Sequence, residues 1–355
     1  MKRWLYFPLL ILIAAFLVDK AFFVGHLPYY FLRTLSYINY DHKITMTIKL
    51  RNYLRAADRK KVVVLFGNSR TLSFDTAYLE KTYPDWILFN YSVPGGTSDY
   101  YYYYMKRFQE ENIRPEAIFF AISPQGFNYS PLISMDETMI NGLPLSFVAA
   151  HAGHFRLQDL TNYAAKKTMW TYRYRPNLDT IRYRLRNQSE FMYDLKQFEA
   201  IAYNSLIINR GSTPYNDHAE PDDDPDFWEK TALQTFKNFF EPYQLHPGMI
   251  SFTQKSLQIS QELGAKTILL WPRIAPELRR LKMEKKVRIV GLREKETIHA
   301  TWFPMIEKLS RDHQAPVLNL NLPGAMKCDK FYDASHMASV CFAEFSDRIF
   351  ETLRP

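Results

Sequence analysis

Short, uninterrupted apolar runs separated by longer amphipathic segments are the feature that most restricts how this chain can fold. Runs of this kind predict strands that are buried on both faces, as in a parallel sheet. The helical segments between them fit the crossover connections that parallel strands need. The runs cover residues 62–66, 87–91, 117–122, 266–271 and 316–320. The sequence therefore predicts an α/β fold with a doubly wound parallel sheet, ending in a helix over about 338–353.

The length of 355 residues and the 47% hydrophobic content are enough for one full core with an insertion, but short for two large domains. We expect one catalytic domain over 33–355. Between about 130 and 247 the strand–helix alternation fails, which predicts an inserted, mostly helical cap over the carboxyl edge of the sheet. A second irregular segment, 272–300, contains basic residues that either line the same cleft or form ordinary charged surface: Arg273, Arg279, Arg280 and Lys282.

An apolar run at the N-terminus indicates the compartment. It covers residues 4–18, follows Lys2 and Arg3, and is broken by Asp19 and Lys20. No small-x-small cleavage motif follows it, so the pattern favours an uncleaved signal anchor, a transmembrane helix with its linker over 1–32. The positive-inside rule then places the body on the extracytoplasmic, periplasmic side of the cytoplasmic membrane. A cleaved signal peptide and a buried core helix are the alternatives.

The formal net charge of +8 suits an anionic partner such as a phosphate-rich polymer, a lipid headgroup or nucleic acid. No zinc-finger spacing, helix-turn-helix pattern or aromatic RNA-binding motif is present, so nucleic acid is not the expected partner. The expected partners are the membrane, through the N-terminal helix, and an anionic envelope polymer or glycolipid.

The two cysteines, Cys328 and Cys341, permit one disulfide in an exported protein. Two separately buried thiols are the alternative, and the sequence leaves both open.

Three predicted strands end in polar or glycine-rich turns, at residues 67–70, 94–97 and 123–128. The carboxyl ends of parallel strands meet at one edge of a sheet, where ligands bind. Ser69, just past a buried strand, needs only a base to become a nucleophile. His336 is the candidate base, and Asp333, three residues earlier, is placed to orient its ring. We expect the Ser69 hydroxyl within about 2.6–3.2 Å of the His336 ring, with Asp333 on the other ring nitrogen.

These motifs resemble those of the SGNH/GDSL hydrolase superfamily, whose first block is Gly-Asp-Ser and whose last is Asp-x-x-His. The matching segments are Gly67-Asn68-Ser69-Arg70 and Asp333-Ala334-Ser335-His336. The resemblance implies a flavodoxin-like, three-layer fold with Ser69, Asp333 and His336 as catalytic residues. It offers the amide of Gly95 or Gly96 as an oxyanion donor and adds Arg70 to the binding residues. The usual Gly-x-Asn-Asp block is absent, which leaves Gln125 and Asn128 as candidate side-chain donors.

The segment Ser123-Pro124-Gln125-Gly126-Phe127 resembles one in the D-alanine-transfer proteins of teichoic-acid alanylation. The chain also resembles uncharacterised bacterial families of membrane-anchored SGNH proteins, which carry an Asp-Lys pair after the N-terminal span. These resemblances imply acyl transfer or ester hydrolysis on an envelope glycopolymer or glycolipid, with a membrane-bound acyl-transfer partner and no cofactor. The alternative is a non-catalytic envelope protein that uses this fold to bind or scaffold a glycopolymer.

Three further patterns carry predictions of their own. The histidines His151, His154, His218 and His246 lack metal-site spacing, so no metal site is expected. The five tyrosines of 100–104 point in all directions on a helix, so some should be core and one or two should reach the cleft. Arg182, Arg184 and Arg186 share one face only if the segment is extended, where they would line a groove for an anionic polymer.

Overall fold

The structure is a computed structural model that describes residues 6–21, 37–129, 134–174, 178–213 and 225–354. The strands are β1 (Lys61–Phe66), β2 (Trp86–Asn90), β3 (Ala117–Ala121), β4 (Lys266–Trp271), β5 (Lys286–Arg288), β6 (Lys295–Thr297), β7 (Val317–Asn319), β8 (Phe331–Asp333) and β9 (His336–Met337). Five of them form one parallel sheet in the order β2-β1-β3-β4-β7. The predicted α/β fold with a parallel sheet is confirmed. Strands β5 and β6, and strands β8 and β9, form separate antiparallel pairs.

The helices that surround and extend the sheet are α1 (Tyr6–Ala21), α2 (Tyr37–Leu54), α3 (Thr76–Thr82), α4 (Ser98–Glu110), α5 (Leu145–Ala150), α6 (Leu157–Thr168), α7 (Trp170–Tyr174), α8 (Leu178–Arg186), α9 (Gln188–Ile208), α10 (Pro225–Phe240), α11 (Pro247–Glu262), α12 (Pro276–Glu284), α13 (Ile298–Asp312) and α14 (Phe342–Glu351). A π-helix covers Ser134–Gly142. Short 3-10 turns cover Ser69–Thr71, Pro124–Phe127, Ala152–His154 and Ser339–Cys341.

The core is centred on β1, whose residues are buried from Val62 to Phe66. The ring of Phe66 stacks on Phe120 of β3 at a centroid distance of 5.5 Å and contacts Phe108 of α4 at 5.7 Å. Burying one such ring stabilises the fold by about 1.5–3 kcal/mol. This packing fixes the carboxyl end of β1, and with it the turn that carries Ser69.

Helix α4 begins after Thr97, where the Asp99 carboxylate accepts from the Thr97 hydroxyl and from the Tyr100 amide. Within its tyrosine run, Tyr103 is half-buried and the other four are buried. The prediction that some of these tyrosines belong to the core is confirmed, and Tyr103 is the one side chain of the run that is not fully buried. Helix α11 packs along α4, and the Phe252 ring of α11 stacks on Tyr102 at a centroid distance of 5.5 Å.

The described part of the segment between β3 and β4 is mostly helical, from the π-helix through α10, with short non-helical connections such as residues 209–213. Helix α8 contains Arg182, Arg184 and Arg186. On a helix, residues two apart point about 200° apart, so these side chains fan out instead of sharing a face. The extended arrangement, and the polymer groove built on it, is wrong.

The N-terminal helix α1 is attached to the body through Asp19, whose side chain is buried. Its carboxylate accepts from the backbone amides of Trp170 and Thr171, both at 2.8 Å, at the start of α7. The rest of α1 carries a series of exposed apolar side chains, from Tyr6 to Val18. No helix within the described ranges is both long and apolar enough to cross a membrane, so the predicted transmembrane helix is not supported. Residues 1–5 and 22–36 of the predicted anchor region lie outside the described residues.

Candidate active site

The serine turn follows directly from β1. Asn68 has an extended backbone, and its side chain accepts a hydrogen bond from the Arg70 amide at 3.1 Å, which opens the 3-10 turn at Ser69. The Asn68 carbonyl accepts from the Thr71 amide at 3.0 Å and closes the turn. The SGNH-type motif has aspartate at the position of Asn68. Asparagine can make the same hydrogen bond to the Arg70 amide, because only one acceptor oxygen is needed. The Ser69 side chain remains exposed at the end of the strand.

Two glycines allow the serine turn and the turn after β2 to approach closely. A Cβ at Gly96 would lie 2.1 Å from the Gly67 carbonyl oxygen, and a Cβ at Gly67 would lie 2.6 Å from the Ser92 hydroxyl after β2. Any larger residue would force these turns apart. The Val93 amide also donates to the Gly67 carbonyl at 3.1 Å, which fixes the register between the two turns.

The hairpin of β8 and β9 carries the base. The Asp333 carboxylate accepts from the Ser335 amide at 2.6 Å and from the His336 amide at 3.0 Å, so it organises the turn that it belongs to. Its two oxygens lie 2.7 and 2.9 Å from His336 Nδ1. The Tyr332 ring stacks on the imidazole at 5.2 Å, nearly parallel to it. The imidazole is therefore held both in its plane and at Nδ1.

His336 Nε2 lies 2.7 Å from Ser69 Oγ. The structure thus brings Ser69, His336 and Asp333 together at the distances that the sequence prediction required. With Nδ1 donating its proton to the Asp333 carboxylate, a neutral His336 presents an unprotonated Nε2 to the serine hydroxyl. This is the arrangement in which an imidazole can accept the serine proton.

The charge state of Asp333 agrees with this role. Burial alone would raise the pKa of Asp333, but the hydrogen bond and charge of His336 and the amides of Ser335 and His336 outweigh it. The net effect lowers the pKa of Asp333 below its ordinary value of 3.8. The carboxylate therefore stays ionised at neutral pH, and it can stabilise an imidazolium beside it.

Three separate contacts hold the base loop in place. The Ala275 amide donates to the Ala334 carbonyl at 3.2 Å, and Arg70 Nε donates to the Ser335 carbonyl at 3.0 Å. The third is a disulfide between Cys328 and Cys341, a pairing that the sequence left open. The arginine that follows the nucleophile thus bonds to the residue that precedes the base, which fixes the two loops relative to each other.

The two glycines predicted as oxyanion donors differ in availability. The Gly96 amide donates to the Val93 carbonyl at 3.0 Å, closing a turn in which Gly95 adopts a φ of 68°. Pro94 and Gly95 at the central positions are typical of a type II turn, which requires a positive φ at the second of them. Gly96 is therefore not a free donor, and of the two glycines that the sequence offered as alternatives Gly95 remains. The amides of Gly95 and Ser69 have no acceptor among the described residues.

The two side chains predicted from the third strand end also differ. Asn128 Nδ2 donates to the Phe239 carbonyl at 2.7 Å, and its Oδ1 accepts from the Gln244 amide at 2.9 Å. Asn128 therefore holds the connection between α10 and α11 and is not available to an oxyanion, which corrects its prediction. The Gln125 side chain has no hydrogen-bond partner among the described residues, and its Oε1 is buried.

The basic residues of 272–300 have three different environments. Arg273 pairs with Asp329 at 2.9 Å. Arg279 and Arg280 line a pocket of about 690 Å³ with Trp271 and Asn319, at the carboxyl ends of β4 and β7. The described lining of this pocket does not include the serine, the histidine or the aspartate of the triad.

Lys282, the fourth of these basic residues, was predicted to lie in the cleft or on the surface, but the structure buries it. It is only 1% exposed. Helical spacing gives the signal, because Lys282 follows the buried Leu278 by four residues and so lies on the same face of α12.

Of the four histidines considered for a metal site, the three that the structure describes have structural partners. His151 Nδ1 contacts the Phe147 carbonyl at 2.9 Å, His154 Nε2 contacts Lys255 Nζ at 3.1 Å, and His246 Nδ1 accepts from the Gly248 amide at 3.1 Å. His218 lies outside the described residues. Within the described ranges, no group of three or more metal-ligating side chains is brought together.

The chain belongs to the DUF1574 family, described as a protein of unknown function, because the sequence model of that family matches residues 1–353. No curated protein matches the chain. Family membership gives no activity, so the function has to be argued from the site.

Proposed function

We propose that this chain is a serine acyltransferase or esterase of the SGNH type, acting on acyl groups of a cell-envelope glycopolymer or glycolipid. The observation that carries the proposal is the unbroken hydrogen-bond chain from Asp333 through His336 to Ser69, with a 2.7 Å contact on each side of the imidazole. A nucleophile, a base and an orienting carboxylate in this order are the requirement for acyl-serine chemistry.

In the first half-reaction, His336 Nε2 accepts the Ser69 proton while Oγ attacks an ester or thioester carbonyl. The amides of Ser69 and Gly95 stabilise the oxyanion, at about 3–4 kcal/mol for each donor of this kind. His336 then gives its proton to the departing alcohol or thiol, leaving an acyl-serine. In the second half-reaction, water or a polymer hydroxyl loses its proton to His336 and attacks the acyl carbonyl, and the proton returns to Ser69.

We also propose how the helices are arranged around the sheet. The resemblance to SGNH proteins supports a three-layer, flavodoxin-like arrangement in which the helices over about 130–247 act as a cap. The parallel sheet and the position of Ser69 at the carboxyl end of β1 agree with that arrangement.

We also propose an extracytoplasmic location, with residues 1–32 as an anchor in the cytoplasmic membrane and the body on its periplasmic side. The disulfide between Cys328 and Cys341 supports it, because disulfides persist in oxidising compartments. The exposed apolar side chains of α1 also support contact with lipid. A membrane-bound partner would then deliver the acyl group.

A fluorophosphonate probe tests the proposed enzyme, because it labels only an activated serine. We expect the full-length protein to be labelled on Ser69, with no labelling in Ser69→Ala and a drop of roughly a thousandfold in the labelling rate in His336→Ala. The matched control is His154→Ala, since His154 is also half-buried but contacts a lysine. It should be labelled at the wild-type rate.

The alternative, a non-catalytic scaffold for a glycopolymer, gives a different result. Folded wild-type protein would then remain unlabelled at probe concentrations that label a known serine esterase. Labelling that persists in Ser69→Ala would contradict the assignment of the nucleophile.

A further inference from the structure

Helix α8 carries an exposed apolar stripe with an arginine on each side. Leu178, Ile181 and Leu185 follow one another by three and four residues, so they share one face of the helix. Leu178 is 70% exposed and Leu185 is 56% exposed. At about 100° of rotation per residue, Arg182 and Arg184 lie on either side of this stripe. The rest of the described chain leaves most of the stripe uncovered.

The charge of α8 is basic. Three arginines, Arg182, Arg184 and Arg186, stand against one acid, Asp179. Arg182 lies 3.7 Å from Asp179, and both side chains are mostly exposed. Helices with an apolar face bordered by arginines bind at the surface of anionic bilayers. The apolar side chains enter the acyl boundary, and the arginines contact the headgroups.

The position of α8 in the fold brings it near the N-terminal helix. Asp19, at the end of α1, accepts from the first two backbone amides of α7. The neighbouring Lys20 lies over the Trp170 ring of α7, with Nζ 4.3 Å from the ring centre. Helix α7 ends at Tyr174 and α8 begins four residues later, at a distance of at most about 14 Å. The start of α8 is therefore close to the end of the apolar helix that we propose as the membrane anchor.

The short helix between them has the composition of a membrane–water boundary. Besides Trp170, α7 contains Tyr172, which is exposed, and Arg173, whose guanidinium lies 5.0 Å from the centre of the Tyr174 ring. Tryptophan and tyrosine are enriched at this boundary because an apolar ring and a polar edge suit its two sides. Helices α7 and α8 thus continue the lipid contact of α1 along the surface of the body.

We propose that α8 is a docking helix that lies in the headgroup region of an anionic bilayer, beside the point where α1 enters it. The inference rests on the proposed location and goes beyond it, because it assigns a second membrane contact to the body of the protein. A dissolved anionic polymer would contact the arginines but leave Leu178 and Leu185 in water. A bilayer surface covers both kinds of side chain.

Thiol accessibility in the full-length protein tests this contact. Leu185→Cys adds a single reactive thiol, because both native cysteines are in the disulfide. The variant is reconstituted into vesicles of phosphatidylcholine alone and into vesicles of equal parts phosphatidylcholine and phosphatidylglycerol. We expect a membrane-impermeant maleimide to modify Leu185→Cys about tenfold more slowly in the anionic vesicles. The matched control is Leu322→Cys, because Leu322 is 55% exposed and has uncharged sequence neighbours. It should react at the same rate in both.

Two charge variants show whether the arginines hold the helix at the surface. In the Leu185→Cys background, replacing the arginines at 182, 184 and 186 with glutamine should abolish the difference between the two kinds of vesicle. Replacing Lys286, Arg288 and Lys295 with glutamine removes the same charge from the exposed β5–β6 pair and should preserve it.

The outcomes separate the docking helix from the anchor and from the enzyme. Equal rates for Leu185→Cys in the two kinds of vesicle would overturn the docking proposal, as would equal behaviour of the two charge variants. In both cases the anchor stands if the protein floats with the vesicles. Failure to float would overturn the anchor and the docking helix together. Fluorophosphonate labelling of Ser69 is measured independently of all of these results.

Discussion

The loop that carries His336 and the histidine corner, formed by His151, His154 and His246, both place imidazoles among aromatic rings. Tyr332 stacks on His336 at 5.2 Å, and the His154 ring lies 5.0 Å from Phe252. Aromatic packing therefore does not distinguish the two regions. The groups bonded to the ring nitrogens do.

His336 has a carboxylate on one nitrogen and a hydroxyl on the other. In the histidine corner, a lysine faces His154, while His246 accepts from a backbone amide. Burial, followed by the charge of Lys255, lowers the pKa of His154, and burial lowers the pKa of His246 to about 4. These imidazoles are held neutral, as a structural role requires. The comparison teaches that the partners of an imidazole, and not its burial, make it a candidate base.

Among the changes that test this comparison, the largest effect should come from removing the carboxylate that distinguishes the two regions. Asp333→Asn is expected to lower the rate of fluorophosphonate labelling by roughly a hundredfold to ten-thousandfold. An amide at this position favours the tautomer with its proton on Nε2, which cannot accept the serine proton. Thermal unfolding measured in parallel separates this effect from loss of structure.

Two controls sharpen that result. Asp312→Asn removes a carboxylate that pairs with Lys308 on α13, and it should leave the labelling rate unchanged. His154→Gln removes an imidazole from the histidine corner and should also leave it unchanged. If Asp333→Asn behaves like these two variants, the orienting role of Asp333 is wrong.

The base loop also has a covalent tie that the described histidine corner lacks. Cys328 and Cys341 enclose both Asp333 and His336, with a sequence separation of 13 residues. Closing a loop of this size contributes about 3 kcal/mol in the chain-entropy model. Replacing both cysteines with serine should lower the free energy of unfolding by about that amount, as measured by urea denaturation. Reductant should destabilise wild type equally and leave the double variant unaffected, whereas a wild type insensitive to reductant would contradict the bridge.

The sheet could be predicted from sequence because its strands are local apolar runs, and the three central ones, β1, β3 and β4, are buried over nearly their whole length. The predicted strand at 266–271 matches β4, while the one at 316–320 is longer than β7 by one residue at each end. Those two residues still bond to β4, because the Pro316 carbonyl accepts from the Leu269 amide and the Leu320 amide donates to the Trp271 carbonyl. The positions of Ser69, Asp333 and His336 could be predicted because short motifs fix each of them relative to a strand or turn.

Other features could not be predicted because they depend on partners far away in sequence. The contacts of Asn128 with Phe239 and Gln244 join residues more than 100 positions apart, so no local sequence pattern predicts them. The sequence does not show that the Gly96 amide donates to the Val93 carbonyl within its own turn. The alternating arginines of residues 182–186 are compatible with a strand and with a helix, and the structure shows a helix, α8.

The smallest effect is expected in the histidine corner, where replacing a histidine should change stability and not activity. His246 has a folded-state pKa of about 4, below its ordinary 6.5, so the unfolded chain binds a proton that the folded chain excludes. Its stabilising contribution is therefore complete above pH 6.5 and is lost as the pH falls toward 4. Between pH 7 and 4.5 this loss amounts to roughly 2–3 kcal/mol. His246→Asn, which keeps a side-chain acceptor for the Gly248 amide, should remove that part of the pH dependence in urea denaturation while labelling of Ser69 at pH 7 stays unchanged. An unaltered pH dependence would show that His246 is not held neutral, and a fall in labelling would show that the histidine corner contributes to the site.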